Sequence, residues 1–380
     1  MNGPTINRRQ FARTLGSALG AAWITDLSGR GAAAKLPAGA PPGTIQLNSN
    51  ENPYGPSPGV LEAMEQAGGR AARYPDADGD RVVEAIAALH HVEPDQVALG
   101  CGSGEILQAA DQAFLEPGKQ VVVSEPTFEA VVVFARGTQA EVVKVPQTQD
   151  QRHDLKALAA VCDDRTGLVY VCNPNNPTGT IVGASELERF IAQVPSSTMI
   201  LVDEAYHHFV EDPGYASATA WLADTPNLIV ARTFSKIYGL AGMRLGYGVG
   251  SKQSIQAVRQ QLCWSNANVA VLEAALACLG DAEHLEQQRR LNAETRGFLC
   301  AELERDGRAY VPSHTNFVMI DLGTDVGPVI QGFRERRILV GRRFPAMPHW
   351  LRVSIGTRAE MAAFLARLRE LVPVARAQAA

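Results

Sequence analysis

The sequence lacks several features that would assign it to a particular class of protein. No run of 18 apolar residues occurs among its 380 residues, so no membrane-spanning helix is expected. The formal net charge is −5 and the main body carries no basic stripe, which argues against nucleic-acid binding. No internal repeat occurs at a fixed period, which argues against solenoids and propellers. A hydrophobic fraction of 46% instead indicates a globular protein of about two domains.

The spacing of the cysteines points to no metal site. The six cysteines include no C-x-x-C pair or other spacing typical of a metal site. Unpaired cysteine behaves as a small apolar residue that is usually inside a protein. We therefore expect free thiols, most of them buried, and no bound metal.

The first 34 residues differ in kind from the rest. "NRRQFAR" (residues 7–13) leads into a mildly apolar stretch, and Ala32 and Ala34 follow at positions suited to cleavage. This order resembles a twin-arginine export signal. We expect residues 1–34 to be that signal and the protein to be periplasmic or otherwise exported; without a functional signal it would be cytoplasmic. The alternative is a tail whose arginines occur by chance.

The main body alternates apolar runs with helical patterns. Seven runs lie between about Tyr74 and Leu276: "QVALG", "KQVVVSEP", "AEVVKVP", "TGLVYVCNP", "TMILVDEAY", "NLIVARTFS" and "LGYGVG". They predict a mainly parallel sheet covered on both faces. After Cys278, long charged helices precede "TNFVMIDL" and "HWLRVSIGT". The prediction is an α/β fold with a three-layer α/β/α large domain (74–276), an N-terminal arm belonging partly to the small domain (35–73) and a smaller α+β domain (277–380).

Ligands bind at the carboxyl ends of parallel strands, so the residues after each run are candidates for a site. "CGSGE" opens a helical stretch, which makes Ser103 and Gly104 candidates for phosphate binding at a helix N-terminus. Phe128 in "EPTFEA" could lie on a cofactor ring or pack in the core. Asn176 in "VCNPNNPTG" stands in a turn that simple turn chemistry would also explain.

Two charged residues end very apolar runs. Asp203 closes "ILVD" with Tyr206 three residues later, and a buried carboxylate requires a cationic partner. Lys236 follows "VARTFS", where desolvation or the nearby Arg244 would lower its pKa from about 10.4 and favour attack on an aldehyde. A lysine, an acid for a ring nitrogen and phosphate donors are what pyridoxal phosphate requires. Together these residues predict a pyridoxal-phosphate site.

The glycine-rich turn, taken alone, is also compatible with a different cofactor. "LGCGSG" also resembles the first motif of S-adenosylmethionine-dependent methyltransferases. Those enzymes usually carry an acid two residues before the first glycine, where this chain has Ala98, although Glu125 could contact a ribose. A methyltransferase or a non-catalytic binding protein is therefore one alternative.

Five motifs resemble, in order, those of fold-type I pyridoxal-phosphate aminotransferases of the histidinol-phosphate aminotransferase type. They are "NENPYGPSP", "NPNNPTG", "DEAY", "TFSKIYGLAGMRLGY" and "LRVSIGT", and the resemblance covers residues 45–371. It implies transfer of an amino group between a donor, either histidinol phosphate or an aromatic or other amino acid, and 2-oxoglutarate. A decarboxylase or cyclising lyase on the same scaffold is a second alternative, because fold does not fix reaction.

The resemblance also implies roles for the candidate residues. Lys236 would form the internal aldimine, Asp203 would pair with the ring nitrogen, and Phe128 would stack on the ring. Tyr74 in "RYPD" would reach the phosphate of a neighbouring subunit, which implies a homodimer with shared active sites. Asn176 and Tyr206 would hydrogen-bond the ring hydroxyl. The cofactor phosphate would be held by Ser103, Gly104, Ser235 and Arg244. The substrate would be bound by Tyr54, Asn176, Arg342 and Arg352.

The chain departs from the family in one segment. Family members more often carry V-R-P before "LRVSIGT", whereas this chain reads "LVGRRFPAMPHW", with Gly341 where arginine is expected. Arg342 or Arg343 could substitute and bind the substrate phosphate with Tyr54. Arg352, a planar fork, would meet that phosphate or a keto-acid carboxylate. We therefore expect weaker phosphate recognition and a preference for an unphosphorylated amino acid, aromatic or basic.

Overall fold

A computed structural model describes residues 41–373. The predicted export signal, residues 1–34, lies outside the described residues. All the helices and strands below belong to the compact unit that begins at Ile45. Among the helices of residues 41–373, none has the length and hydropathy needed to cross a membrane.

The described residues contain twelve strands in three sheets. In chain order they are β1 (Ile45–Leu47), β2 (Val97–Gly100), β3 (Gln120–Glu125), β4 (Glu141–Pro146), β5 (Thr166–Cys172), β6 (Met199–Asp203), β7 (Leu228–Thr233), β8 (Gly246–Gly250), β9 (Tyr310–Val311), β10 (Phe317–Asp321), β11 (Ile338–Val340) and β12 (Trp350–Ser354).

Seven of these strands form the central sheet, in the order β2-β8-β7-β6-β5-β3-β4. Neighbours from β7 to β4 pair in parallel, and only β8 runs antiparallel to both of its neighbours. Each of the seven apolar runs is a strand of this sheet. The predicted mainly parallel sheet is thus confirmed.

Eleven α-helices accompany the strands in the same region. They are α1 (Pro58–Ala67), α2 (Asp76–His90), α3 (Ser103–Phe114), α4 (Ala130–Thr138), α5 (Leu155–Ala160), α6 (Ala184–Gln193), α7 (Lys252–Arg259), α8 (Val269–Gly280), α9 (Ala282–Arg305), α10 (Val326–Glu335) and α11 (Arg358–Leu371).

The helices cover both faces of the central sheet. Along β5, Val169 and Val171 belong to one apolar cluster, whereas Leu168 and Tyr170 belong to another. Because side chains alternate along a strand, the two clusters lie on opposite faces. Helices α2, α5, α6 and α8 contribute to the first cluster, and α3, α4 and α7 to the second. The predicted three-layer α/β/α arrangement is confirmed.

The C-terminal elements build a third apolar cluster. Strands β12, β10 and β9 form an antiparallel sheet, and β1 of the N-terminal arm pairs in parallel with β11. Leu47 of β1 shares this cluster with Leu299 of α9, Phe333 of α10 and Phe364 of α11. The arm and the C-terminal α+β region thus have a common core. The domain limits at residues 35, 74 and 277 stay predictions.

The six cysteines are all free thiols, but the prediction that most are buried is wrong. Cys101 and Cys263 are exposed because they lie in the turn before α3 and in the loop after α7, outside the apolar runs. Cys172 and Cys278 are buried, while Cys162 and Cys300 are half-buried.

Candidate active site

The central candidates meet where three neighbouring parallel strands end. In the sheet register Cys172 of β5 lies beside Asp203 of β6, which lies beside Ala231 of β7. Asn176 follows the end of β5 and Lys236 follows the end of β7. The topology therefore brings the asparagine, the acid and the lysine to one edge of the sheet.

Asp203 is a buried carboxylate, only 2% exposed. It accepts hydrogen bonds from the hydroxyl of Tyr170 at 2.9 Å and from the backbone N–H of Ala205 at 3.0 Å. Burial raises its pKa to about 6, while these two hydrogen bonds and the charge of Lys236 act in the opposite direction. The carboxylate is ionised at neutral pH and makes no ion pair with any residue between 41 and 373.

Lys236 presents its amine to the same edge. Its Nζ donates a 3.4 Å hydrogen bond to the carbonyl oxygen of Ser49 and lies 5.7 Å from the centre of the Tyr206 ring. Burial, helped by the positive charges of Arg352 and Arg244, lowers its pKa to about 8, while the charges of Glu51 and Asp203 act in the opposite direction. Arg352 thus acts more strongly than Arg244, which the sequence singled out. A large share of the amine is unprotonated near pH 8.

Tyr206 is fixed on two sides. Its hydroxyl accepts a 2.9 Å hydrogen bond from Nδ2 of Asn50, and its ring packs edge-on against Phe317 with centres 5.1 Å apart. Burial raises the pKa of Tyr206, although the nearby Arg352 acts in the opposite direction. The hydroxyl is therefore protonated and held in place near the lysine.

Arg352 and Asn176 are joined directly. Nη1 of Arg352 donates to Oδ1 of Asn176 at 2.7 Å, and Nη2 donates to the carbonyl oxygen of Asn48 at 3.0 Å. Burial lowers the pKa of Arg352 to about 10, so it stays a cation at neutral pH. Its Nε is buried and has no hydrogen-bond partner within the described part of the chain. A buried, incompletely bonded guanidinium suits recognition of an anion.

A second candidate anion site lies at the start of α3. The helix begins at Ser103, and Gly102 before it has φ +81° and provides no side-chain cap. Arg244 reaches this turn, with Nη1 3.2 Å from the Ser235 hydroxyl and Nη2 3.4 Å from the Cys101 carbonyl oxygen. The structure brings these groups together where Gly104 lies in the first helical turn, which leaves N–H groups for an anion.

Glycine is required in this cradle because other residues would fill it. A Cβ at Gly102 would lie 2.1 Å from Nη2 of Arg244, and a Cβ at Gly246 would lie 2.2 Å from the backbone nitrogen of Ser103. Both distances are far below normal contact. The close approach of Arg244 to the helix N-terminus therefore depends on Gly102 and Gly246.

Three aromatic candidates lie at the surface. Phe128 is 38% exposed and stands just beyond the end of β3, so it is not a core residue. Tyr54 is 40% exposed and lines a small cavity with Asn52 and Gln288. Tyr74 is 87% exposed and is not packed into the site of its own chain.

The two arginines in the segment before β12, Arg342 and Arg343, contact different parts of the protein. The guanidinium carbon of Arg342 lies 4.3 Å from the centre of the Phe344 ring, and Nη2 of Arg342 donates to Glu129. Arg343 instead pairs with Asp325 at 2.7 Å. The Phe344 ring also contacts Arg352, whose guanidinium carbon is 5.2 Å from its centre. Arg342 is therefore the arginine of this pair that neighbours the candidate site.

Gly341 is closely packed against Arg352. Its N–H donates a 2.9 Å hydrogen bond to the Arg352 carbonyl oxygen, and a Cβ at this position would lie 2.6 Å from that oxygen. A side chain at 341 would require the strand to shift.

The sequence missed three residues that hold the site. Asn50 and Tyr170 bond the tyrosine and the acid, and Phe344 contacts both arginines. Tyr170 lies two residues before Cys172, the register partner of Asp203, so the strand pairing would have found it. Asn50 opens the motif "NENPYGPSP", but no role was assigned to it, and for Phe344 the sequence contains no comparable signal.

Comparisons with known proteins agree with this geometry. Residues 42–368 match the family model of aminotransferase class I and II. The histidinol-phosphate aminotransferase of Moorella thermoacetica is 40% identical over 86% of this chain and 85% of its own. Histidinol-phosphate aminotransferase 2 of Pseudomonas fluorescens is 40% identical over 87% of this chain and 90% of its own.

A solved structure shows the same fold. The crystal structure of histidinol-phosphate aminotransferase from Sinorhizobium meliloti in complex with pyridoxal 5'-phosphate has a TM-score of 0.82 and 30% identity to this chain. The match covers 87% of this chain and 90% of that one.

The described residues fit that cofactor. The glycine cradle of α3 with Arg244 suits its phosphate, and the unpaired buried carboxylate of Asp203 suits a protonated ring nitrogen. Lys236 provides an amine with a lowered pKa at the same strand edge.

Proposed function

The chain belongs to the aminotransferase class I and II family and is a pyridoxal-phosphate-dependent transaminase, and on this premise we propose that its preferred amino donor is an unphosphorylated amino acid, aromatic or basic. The proposed acceptor is 2-oxoglutarate. The similar proteins named above are aminotransferases, which favours transamination over decarboxylation or cyclisation.

Each residue of the site has a separate role in the proposed transamination. When bound, pyridoxal phosphate supplies an aldehyde for the donor amine and a ring that withdraws electrons. Asp203 would provide the negative charge that keeps the ring nitrogen protonated. Lys236, with a pKa of about 8, would take the proton from the α-carbon of the donor and deliver it to the carbon of the cofactor that carried the aldehyde. Arg352 orients the carboxylate of the donor or keto acid through its fork.

One observation carries the substrate proposal. Where the family resemblance implies arginine, the chain has Gly341, where a Cβ would lie 2.6 Å from the Arg352 carbonyl oxygen. Losing a charged contact to a substrate phosphate costs about 2–5 kcal/mol. A loss of this size is enough to reverse a preference between two donors.

The test compares kcat/KM for histidinol phosphate, histidine and phenylalanine, with 2-oxoglutarate as acceptor and the keto product identified. We expect at least one free amino acid to exceed histidinol phosphate. A hundredfold preference for histidinol phosphate would overturn the substrate proposal.

The assembly is a homodimer with shared active sites in this proposal. Its support is Tyr74, which is 87% exposed in a single chain and corresponds to the tyrosine that the family resemblance assigns to a neighbouring phosphate.

Residues 1–34 are proposed to export the enzyme by a twin-arginine pathway, which makes it periplasmic. The support is the order of the arginine pair, the apolar stretch and the small residues. Fusing residues 1–40 to a reporter tests this, with Arg8→Lys and Arg9→Lys together as the control. A wild-type fusion that stays in the cytoplasm would contradict export.

A further inference from the structure

We propose that Glu129 determines the substrate class of the site by neutralising Arg342. The outer end of the site then selects donors whose side chains carry no negative charge. The inference rests on the proposed function and adds to it the residue that disfavours a phosphate.

Phe344 places the two arginines of this region next to each other. Its ring centre lies 5.2 Å from the guanidinium carbon of Arg352 and 4.3 Å from that of Arg342. Arg352 is buried and bonded to Asn176, whereas the Arg342 side chain is 50% exposed. Arg342 is thus the outer positive charge, one aromatic ring away from the arginine assigned to the carboxylate.

The guanidinium of Arg342 already forms an ion pair within the chain. Nη2 of Arg342 donates to Oε2 of Glu129, which directly follows the predicted ring-stacking Phe128. A phosphate that approached Arg342 would have to displace this carboxylate from the guanidinium edge. If it bound alongside, its negative charge would lie next to that of Glu129 and be repelled. The pair as a whole presents no net charge to a substrate side chain.

The positions on either side of Arg342 offer no other free positive charge for a phosphate. Arg343 makes two contacts with Asp325, at 2.9 and 2.7 Å. Gly341 carries no side chain, and a Cβ there would lie 2.6 Å from the Arg352 carbonyl oxygen. Glu129 is therefore the residue whose removal leaves Arg342 available for a phosphate.

Glu129→Gln tests the inference because it keeps the shape of the side chain and removes its charge. We expect the ratio of kcat/KM for histidinol phosphate to that for histidinol, which differ only by the phosphate, to rise at least tenfold. Asp325→Asn is the matched control, since it removes the charge from the adjacent Arg343 pair. It should leave the ratio within twofold of wild type.

A binding measurement avoids dependence on turnover. In a Lys236→Ala background loaded with cofactor, adding Glu129→Gln should tighten the calorimetric Kd of histidinol phosphate at least tenfold and that of histidinol less than threefold. Adding Arg342→Gln should abolish the gain. The inference is overturned if Glu129→Gln changes neither the kcat/KM ratio nor the ratio of the two Kd values. It is also overturned if histidinol phosphate still binds more tightly after Arg342→Gln is added.

The outcomes separate the two claims. A wild-type enzyme that prefers histidinol phosphate refutes the proposed substrate, whatever Glu129→Gln does. An unchanged ratio in Glu129→Gln refutes the role of Glu129, even if the wild-type enzyme prefers a free amino acid.

Discussion

The hydroxyl of Tyr170 donates a 2.9 Å hydrogen bond to Oδ2 of Asp203, the buried acid of the candidate active site. Both side chains are almost fully buried, so solvent cannot replace the bond if it is lost. The same carboxylate is the one expected to face the cofactor ring nitrogen. Tyr170 therefore stabilises the ionised form of Asp203 through this hydrogen bond and is a positioning residue.

Tyr170→Phe should raise the pKa of Asp203 above its value of about 6, because the hydrogen bond favours the ionised form. A hydrogen bond to a charged group is worth about 1.5–3 kcal/mol. We expect the acid limb of the pH profile of kcat/KM to move to higher pH and the rate at neutral pH to fall about tenfold. Tyr310→Phe, which removes a hydroxyl bonded to Glu304 in the C-terminal sheet, is the control. Unshifted acid limbs in both variants would contradict this role.

Lys236→Ala should bind cofactor but show neither turnover nor the absorption band of the lysine-linked form. The reason is that the amine at the end of β7 has a lowered pKa and lies at the same strand edge as Asp203. Absorption spectra with and without borohydride measure this directly. Lys252→Ala, which removes an exposed amine paired with Asp95, is the control and should keep the wild-type band. A wild-type spectrum in Lys236→Ala would mean that another lysine holds the cofactor.

The sequence predicts this site as far as it depends on strand order. Lys236 and Asp203 follow apolar runs, and parallel strands must end at the same edge, so the pattern itself brings them together. Phe344 was missed because it lies in an irregular segment, where position depends on tertiary contacts rather than periodicity. Asn50 opens the first motif, but its bond to Tyr206 is likewise a tertiary contact that no periodicity predicts. For the same reason the exposure of Cys101 and Cys263 was not predicted.

Mixing two inactive variants tests the proposed dimer. If Tyr74 completes the phosphate site of a neighbour, Lys236→Ala mixed with Tyr74→Ala should recover activity, because one site of each hybrid dimer contains both residues. We expect up to about a quarter of wild-type activity when the chains mix at random and equally. Subunit exchange is verified independently with tagged chains. Exchange without any recovery would indicate that each site is built from one chain.

Asp111 is a buried acid that the site does not use. It lies in α3 with no exposed surface, and neither carboxyl oxygen has a hydrogen-bond partner in the region the structure describes. Burial raises its pKa from 3.8 to about 8. The folded protein therefore holds this proton over a range in which the unfolded chain has already released it.

Asp111→Leu should consequently stabilise the protein, and by more at pH 8 than at pH 4. Because the folded pKa is the higher one, the contribution of Asp111 to the free energy of unfolding is most favourable below pH 4 and is lost as the pH rises to about 8. The expected gain at pH 8 is on the order of a few kcal/mol, measured by thermal unfolding at both pH values. Glu188→Leu, on the exposed side of α6, is the control and should change stability little. A gain of equal size at both pH values would show that Asp111 destabilises the fold through packing rather than through its charge.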